Sequence, residues 1–244
     1  TMAGLEVDAV EPVSGEFTNV VVGEIVDAQP HPNADKLQVC TVKDGTDATL
    51  QIVCGAPNAR VGMKAPLARV GAVLPGDFKI KEARLRDVES RGMLCAASEL
   101  ELSEDKQGLM ELPGDAPVGT DLREYLSLDD HTFEIGLTPN RSDCLSARGI
   151  AREVALANHS AFSAPSVSES AVTSDEQVSV DLQAGSGCPR YLCRVVEGVD
   201  LSRPTPLWMQ EKLRRCGIRA IDQIGRDTSE LQSPVPSSYA VFCL

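Results

Sequence analysis

His31-Pro32-Asn33-Ala34-Asp35-Lys36-Leu37 stands between two apolar, β-branched runs, Val20-Val21-Val22-Gly23-Glu24-Ile25-Val26 and Leu37-Gln38-Val39-Cys40-Thr41-Val42. β-Branched residues pack well on a pleated, half-buried surface, so both runs predict strands. Pro30 and Pro32 flank the histidine. Each removes a backbone donor and fixes φ, so the ladder is expected to break across the heptapeptide. Asn33 and Asp35 can bond nearby backbone groups and form a turn there. His31 reads as a solvent-exposed residue of the loop tip, and Lys36 as a lone cation opening the next strand.

The pattern continues outward to about residue 98. Apolar runs of four to eight residues alternate with Gly, Pro, Asn or Asp, as in a small closed β-barrel. Asp44-Gly45 predicts a hairpin turn. Leu50 to Cys54 predicts a short buried strand, and Gly62 to Val70 another, with Pro66 placing it at an edge or a bulge. Leu74-Pro75-Gly76-Asp77 is a turn, after which Phe78-Lys79-Ile80-Lys81 alternates apolar with basic. In a strand that puts Phe78 and Ile80 on one face and Lys79 and Lys81 on the other. The two lysines are either solvated decoration of a half-buried strand or a row that meets phosphates.

Residues 1 to 16 are short and turn-rich, and 99 to 130 are acidic and loop-like, with a short helix expected at Asp121 to Leu126 capped by Thr120. Thr132 to Leu137 alternates like a strand. A helix is expected from Ser142 to about Ala157, with Leu145, Ile150, Val154 and Ala157 as its inner stripe. Arg141 and Asp143 read as an ion pair or cap beside it. The Ser-, Ala- and acid-rich stretch after residue 159 reads as a linker with one weak strand at Gln177 to Leu182. Arg190 to Val199 predicts a strand. Thr205 is then expected to cap a helix with Pro206 at its first position, Gly217 past its end and Met209, Leu213 and Cys216 inward.

Composition narrows the function classes. At 42% apolar residues a core is affordable, but aromatics are only 4%, so aliphatic side chains must fill it. No apolar run approaches the roughly 20 residues of a membrane span. The N-terminus has no basic segment followed by an apolar one, so no signal peptide is expected and a cytoplasmic location is. None of the eight cysteines forms a C-x-x-C pair, and His31, His131 and His159 are scattered, which predicts reduced, buried thiols and no metal site. The net charge of −13 argues against a chain that grips nucleic acid over its whole surface. The charge is uneven, however. Arg60 to Arg91 holds eight Lys or Arg against four Asp or Glu, Glu99 to Asp130 two against ten, and Arg190 to Arg226 eight against four. A polyanion should meet the first or third block, although solubility alone also explains such charges.

Around the opening heptapeptide the motifs Gln51-Ile52-Val53-Cys54-Gly55-Ala56-Pro57-Asn58, Gly71-Ala72-Val73-Leu74-Pro75-Gly76 and Ser90-Arg91-Gly92-Met93-Leu94-Cys95 follow in one order. That series resembles the tRNA-binding OB domain. Thr1 to Val7, Thr138-Pro139-Asn140-Arg141-Ser142-Asp143-Cys144-Leu145 and Cys188 to Arg219 resemble the beta chain of bacterial phenylalanyl-tRNA synthetase, so the likeness covers nearly all of residues 1 to 225. It implies an α+β, mainly β chain: a five-stranded OB-type barrel flanked by a small helical and β region, then the start of a further α/β domain. The implied division is 1–16 with 128–165 as the flanking region, 17–127 as the OB domain with an acidic extension, 166–187 as linker, 188–226 as a truncated editing-type domain, and 227–244 as a tail. The resemblance also implies that roughly two dozen residues precede Thr1 in the family. After Ile221 the chain departs from the family, and Ser233 to Ser238 matches nothing in it, which suggests a truncated or misread frame or a cloning artefact and puts editing in doubt.

No catalytic constellation is visible: there is no P-loop, no G-x-G-x-x-G, and no assignable Ser, His and Asp set. The family's ATP, magnesium and catalytic centre belong to the whole enzyme, in which beta chains join alpha chains in an alpha2-beta2 assembly. This segment is expected to hold no cofactor and no metal, and to be inactive alone. Its remaining chemistry is binding. OB barrels use one open face, with a positive groove and stacking rings. The candidates are Lys36, Lys79, Lys81, Arg84, Arg86 and Arg91, with Asn33 and Ser90 beside them and Phe17 and Phe78 as the only stacking aromatics in the OB unit. Arg91 stands where the family commonly has an acid. The expectation is weak, salt-sensitive recognition of the backbone of tRNA for phenylalanine, with no role at DNA or membranes. Two alternatives stay open: a module that packs on other synthetase domains without touching RNA, and an independent RNA chaperone.

Overall fold

The computed structural model describes residues 4–104, 108–193, 195–198, 200 and 205–218. Thr1 to Ala3, Arg219, Ile221 and the tail 227–244, all used above, lie outside the described residues. Contacts gather Asp8–Glu134 with Pro206–Ala220 into one compact unit, and the described residues of Thr1–Val7 and Ile135–Thr205 into another.

The first unit is built on an antiparallel sheet. Its strands are β2 (Thr18–His31), β3 (Ala34–Lys43), β4 (Thr49–Cys54), β5 (Lys64–Leu74), β6 (Phe78–Lys79) and β9 (Met93–Leu94). They lie in the order β4-β3-β2-β5-β6, with β9 also on β5. A small hairpin, β7 (Ala83–Leu85) and β8 (Val88–Ser90), stands apart from that path. β1 (Leu5–Pro12) and β10 (His131–Leu137) pair as a two-stranded ribbon, so the N-terminal stretch expected to be turn-rich is a strand.

β2 is 14 residues long and serves two partners. Its first half pairs with β5, Val21 opposite Leu67, and its second half with β3, Ala28 opposite Cys40. A register shift between Ile25 and Asp27 bends it between the two. The sheet thereby curls in the manner of an OB barrel without closing. Between β4 and the β8–β9 stretch there are single bonds instead of a ladder: Arg91 N donates to Gln51 O (2.8 Å) and Val53 N to the Ser90 hydroxyl (3.1 Å).

The strand does not break at the prolines. β2 runs through Pro30, which faces Gln38, to His31, and only Pro32 and Asn33 form the turn. Pro30 is tolerated because β2 has no β5 partner there. Pro66 sits within β5 opposite Val22, fully buried. Its carbonyl accepts from Cys95 N (2.9 Å), so its donorless nitrogen faces the short β9 side, where little ladder is lost.

Both faces of β2 are covered. Val21, Ile25, Cys40, Val42, Ile52, Met63 and Leu67 form the barrel interior. Val20 and Val22 point the other way into a second cluster with Leu100, Leu102, Leu112, Leu122, Leu126 and Leu128. The acidic stretch read as a loop is thus a lid of spaced leucines over the back of the sheet. Its helix α1 (Leu122–Tyr125) is capped by Asp121, whose carboxylate accepts from Arg123 N and Glu124 N, and not by Thr120. Thr120 instead accepts the Val22 N–H through its carbonyl (2.9 Å). Burial pushes the thiols of Cys40 and Cys95 up to about 11 and about 12, the state of inert, reduced side chains.

In the other unit, a 3-10 turn at Ser142–Cys144 precedes α2 (Ala147–Ala157), which starts five residues later than expected, with Ser146 accepting from Gly149 N (3.1 Å). The expected inner stripe is wrong: Leu145 and Val154 are exposed, and Gly149 and Ala155 are buried. Nor does Gln177 to Leu182 form a strand. Val178, Val180 and Leu182 are exposed, and alternation without a ladder partner does not hold a strand. The described residues of Arg190 to Val199 carry none either.

The last helix among the described residues, α3 (Leu207–Arg215), belongs to the barrel unit and has Pro206 at its N-cap position, with no side-chain cap. Cys216 is exposed and Glu211 is the buried member of the helix. Arg214 and Arg215 fasten it through Val13 O (2.6 Å), Leu126 O (2.9 Å) and Asp130 (3.1 Å). No helix among the described residues is long and apolar enough to cross a membrane.

Candidate nucleic-acid interface

The second cluster closes one side of the sheet, so the uncovered surface lies on β3, β4 and the β7–β8 hairpin. On the face of β3 and β4 away from the barrel interior, Val39 pairs with Val53, which is buried, and Thr41 with Gln51, which is exposed. Gln51 Nε2 donates to Glu89 O (2.8 Å), which holds the hairpin against β4. The hairpin turns at Arg86 and Asp87, both with positive φ (45° and 71°). That is the twist a two-residue hairpin needs, reached here without glycine. The sequence carried no Asn-Gly signal for this turn, so the hairpin was not expected.

The eight candidates fall into three groups. Lys36 lies exposed on β3, and Lys79 and Lys81 are exposed on either side of buried Ile80, as alternation predicts. Phe78 does not share the Ile80 face: it is 58% exposed, because β6 is only two residues long and starts at the sheet's end. Arg84, Arg86, Arg91 and Asn33 gather at the hairpin. Arg84 faces Glu89 across it (3.9 Å), and Arg91 lies between Glu82 (3.9 Å) and Glu89 (3.7 Å). Ser90 is buried; its hydroxyl oxygen accepts from Val53 N and its O–H donates to Gly92 O (3.1 Å each), so its work is to hold the hairpin's base.

Other cations of the positive block are committed elsewhere. Arg60 pairs with Glu111, Lys64 donates to Ala116 O (2.7 Å), and Arg69 binds Asp44 through both its carboxylate (2.8 Å) and its carbonyl (2.6 Å). Burial works against the Asp44 carboxylate, but bonds from Thr46 and the Arg69 cation hold its pKa below the usual range. Lys36, Lys79, Lys81 and Arg86 carry no ion pair among the described residues. Of the two rings, Phe17 is buried beneath Arg123, 5.1 Å from its centroid, which leaves Phe78 as the accessible one.

His31 overturns its sequence reading. It is 5% exposed. Its Nδ1 accepts the Asn33 N–H (3.0 Å), so Nε2 carries the proton and donates to Leu85 O in the hairpin (3.1 Å). Asn33 adds a bond from Nδ2 to Arg86 O (3.2 Å). The flanking prolines hid this, because they mark a turn without saying which way the ring between them faces.

In the other unit Asp143, Cys144 and Glu153 lie close enough to hold a cation. The Arg141 guanidinium bonds all three, at 3.2, 3.1 and 2.6 Å, which confirms the ion pair expected there.

Residues 20–121 match the family described as "Putative tRNA binding domain", and residues 187–224 match the B3/4 domain. The phenylalanine–tRNA ligase beta subunits of Dickeya dadantii (strain 3937) and Idiomarina loihiensis are each 58% identical over 224 residues, which is 92% of this chain and 28% of theirs. A solved MetRS-related protein from Pyrococcus horikoshii covers 41% of this chain and 85% of its own at 24% identity, with a TM-score of 0.31. With both domain matches in order and this identity along nearly its whole length, the chain belongs to the phenylalanine–tRNA ligase beta-subunit family, and it spans 28% of the length of the relatives it matches.

Proposed function

We propose that this chain is an accessory tRNA-binding segment of a phenylalanine–tRNA ligase beta subunit, meeting phosphates with Lys36, Lys79, Lys81 and Arg86. The observation that carries the reading is the coincidence of the tRNA-binding match with four exposed cations that carry no ion pair among the described residues, inside a protein of net charge −13. Arg84 and Arg91 shape the rim but are offset by Glu82 and Glu89. Asn33 and Ser90 act through the backbone they hold. With Phe78 the one exposed aromatic ring of residues 17–98 and few groups for base edges, recognition is of backbone and shape. In the whole enzyme the partners would be tRNA for phenylalanine and an alpha chain in an alpha2-beta2 assembly. ATP and magnesium would serve a centre outside these residues, in the cytoplasm.

The test is tRNA binding by the intact chain across a salt series. Each neutralised phosphate adds about 0.9 to the log–log slope on duplex and about 0.7 on single strands, so two or three contacts give a slope near −2. Lys79→Glu with Lys81→Glu should abolish binding at low salt and leave the thermal midpoint in place, since exposed charges contribute little to stability. Unchanged affinity and slope would refute the reading. One observation favours a second: residues 82–91 hold three cations and three acids, so the hairpin is electrically neutral and also suits a protein partner. Under that reading the chain co-purifies with an alpha chain and is not retained on tRNA.

A further inference from the structure

We propose that His31 is a positioning residue: its ring clamps the β7–β8 hairpin so that Arg86 is presented to phosphate. The inference rests on the RNA-binding reading above. The hairpin joins no ladder of the main sheet. It is held at its base by Ser90 and Gln51, and at its tip by Nε2 of His31 on Leu85 O and Nδ2 of Asn33 on Arg86 O. The two tip bonds land on consecutive carbonyls, the second belonging to the one hairpin arginine without a counter-ion. Arg86 and Asp87 occupy left-handed backbone, which is strained for residues with a Cβ and invites the turn to relax when unheld. The ring of His31 spans the gap with one nitrogen on each side. Nδ1 fixes the Pro32-Asn33 turn by taking the Asn33 N–H, which in turn aims the Asn33 amide at Arg86. Burial of the ring shields both bonds from competing water.

Two substitutions divide the ring's roles. His31→Asn keeps an acceptor near the Nδ1 position but cannot reach Leu85 O. His31→Gln keeps a donor near the Nε2 position. Hydrogen exchange on the intact chain without RNA reads the clamp directly: His31→Asn should raise exchange at residues 83–90 and spare β4 and β5, and His31→Gln should largely restore protection. On tRNA, His31→Asn should weaken binding several-fold and make the salt slope shallower by about 0.7–0.9, the contribution of one phosphate. The same change in an Arg86→Gln background should then do nothing more, because what it positions is gone. An equal loss in that background, or unchanged exchange in the hairpin, overturns the proposal. Loosened exchange with full affinity also overturns it, provided Lys79→Glu with Lys81→Glu abolishes binding. If that double change has no effect, it is the RNA-binding reading that fails, while the exchange result still reports on the clamp.

Discussion

Gly45 and Gly119 touch where the β3–β4 turn meets the strap that covers β2. A Cβ on Gly119 would lie 2.7 Å from Gly45 Cα and 2.9 Å from Asp44 O, and Gly119 has a φ of +89°. Gly119→Ala therefore meets two costs. A left-handed backbone costs roughly 1–2 kcal/mol for a residue with a Cβ. Overpacking adds roughly 1–3 kcal/mol, here against backbone that cannot rotate away. Gly76→Ala is the control: its φ is +76° with nothing within 4 Å, so it carries the first cost alone. Urea unfolding of both variants, followed by circular dichroism, should separate them by about 1–3 kcal/mol. The strap matters because Gly119 N donates to Val22 O (2.8 Å) and Val22 N to Thr120 O (2.9 Å), so it pairs the edge of β2 away from β5. Equal destabilisation of the two variants would mean that turn and strap do not approach, and the account of how that edge is closed would fall.

Four further outcomes follow from the same geometry. Leu122→Ala empties a fully buried site of the second cluster and should cost about 2–5 kcal/mol; a loss under about 1 would show that the acidic stretch does not cover the sheet. Asp44 has a folded pKa below its unfolded one, so its stabilisation is present above the ordinary carboxylate value near 3.9 and fades as pH falls through the folded value. Asp44→Asn should accordingly flatten the acid limb of a stability–pH profile below about pH 4, and an unaltered limb would refute this. Phe78→Ala should lower affinity for single-stranded RNA by up to about 1–3 kcal/mol, the range of one base stack, with no change in midpoint; equal affinity would remove the ring from the interface. Limited proteolysis should cut first within residues 163–183, which hold no helix or strand, and early cuts inside Val20 to Val26 would count against the layout.

The barrel was legible because β-branched runs of strand length with turn residues between them have few other solutions. The strands at Val20, Leu37 and Leu50 and the turn at Gly76 are where those signals are densest. What misled was local chemistry read without its neighbours. The prolines around His31 predicted a long broken ladder, yet the open side of β2 lets a donorless residue stay in the strand. The leucines from Leu100 to Leu128 are too widely spaced for either period, so their common burial shows only in three dimensions. In α2 the opposite happened: the apolar stripe has the right period, but its large side chains are exposed.

Of the candidate site, residue types were legible and commitments were not. Composition finds eight cations between Arg60 and Arg91 but cannot tell those consumed by the fold from those left over. Arg60, Lys64 and Arg69 brace the barrel, and Arg84 and Arg91 answer to Glu82 and Glu89. The remainder, Lys79, Lys81 and Arg86 with Lys36 from outside the block, is smaller than the charge count suggests. A surface with so few free cations cannot hold a polyanion by charge alone at physiological salt, where such contacts are screened. It must gain by fixing them in place, since an ordered cation loses less freedom on meeting a phosphate. A buried histidine that anchors the one arginine of the hairpin without a counter-ion is what such a surface requires.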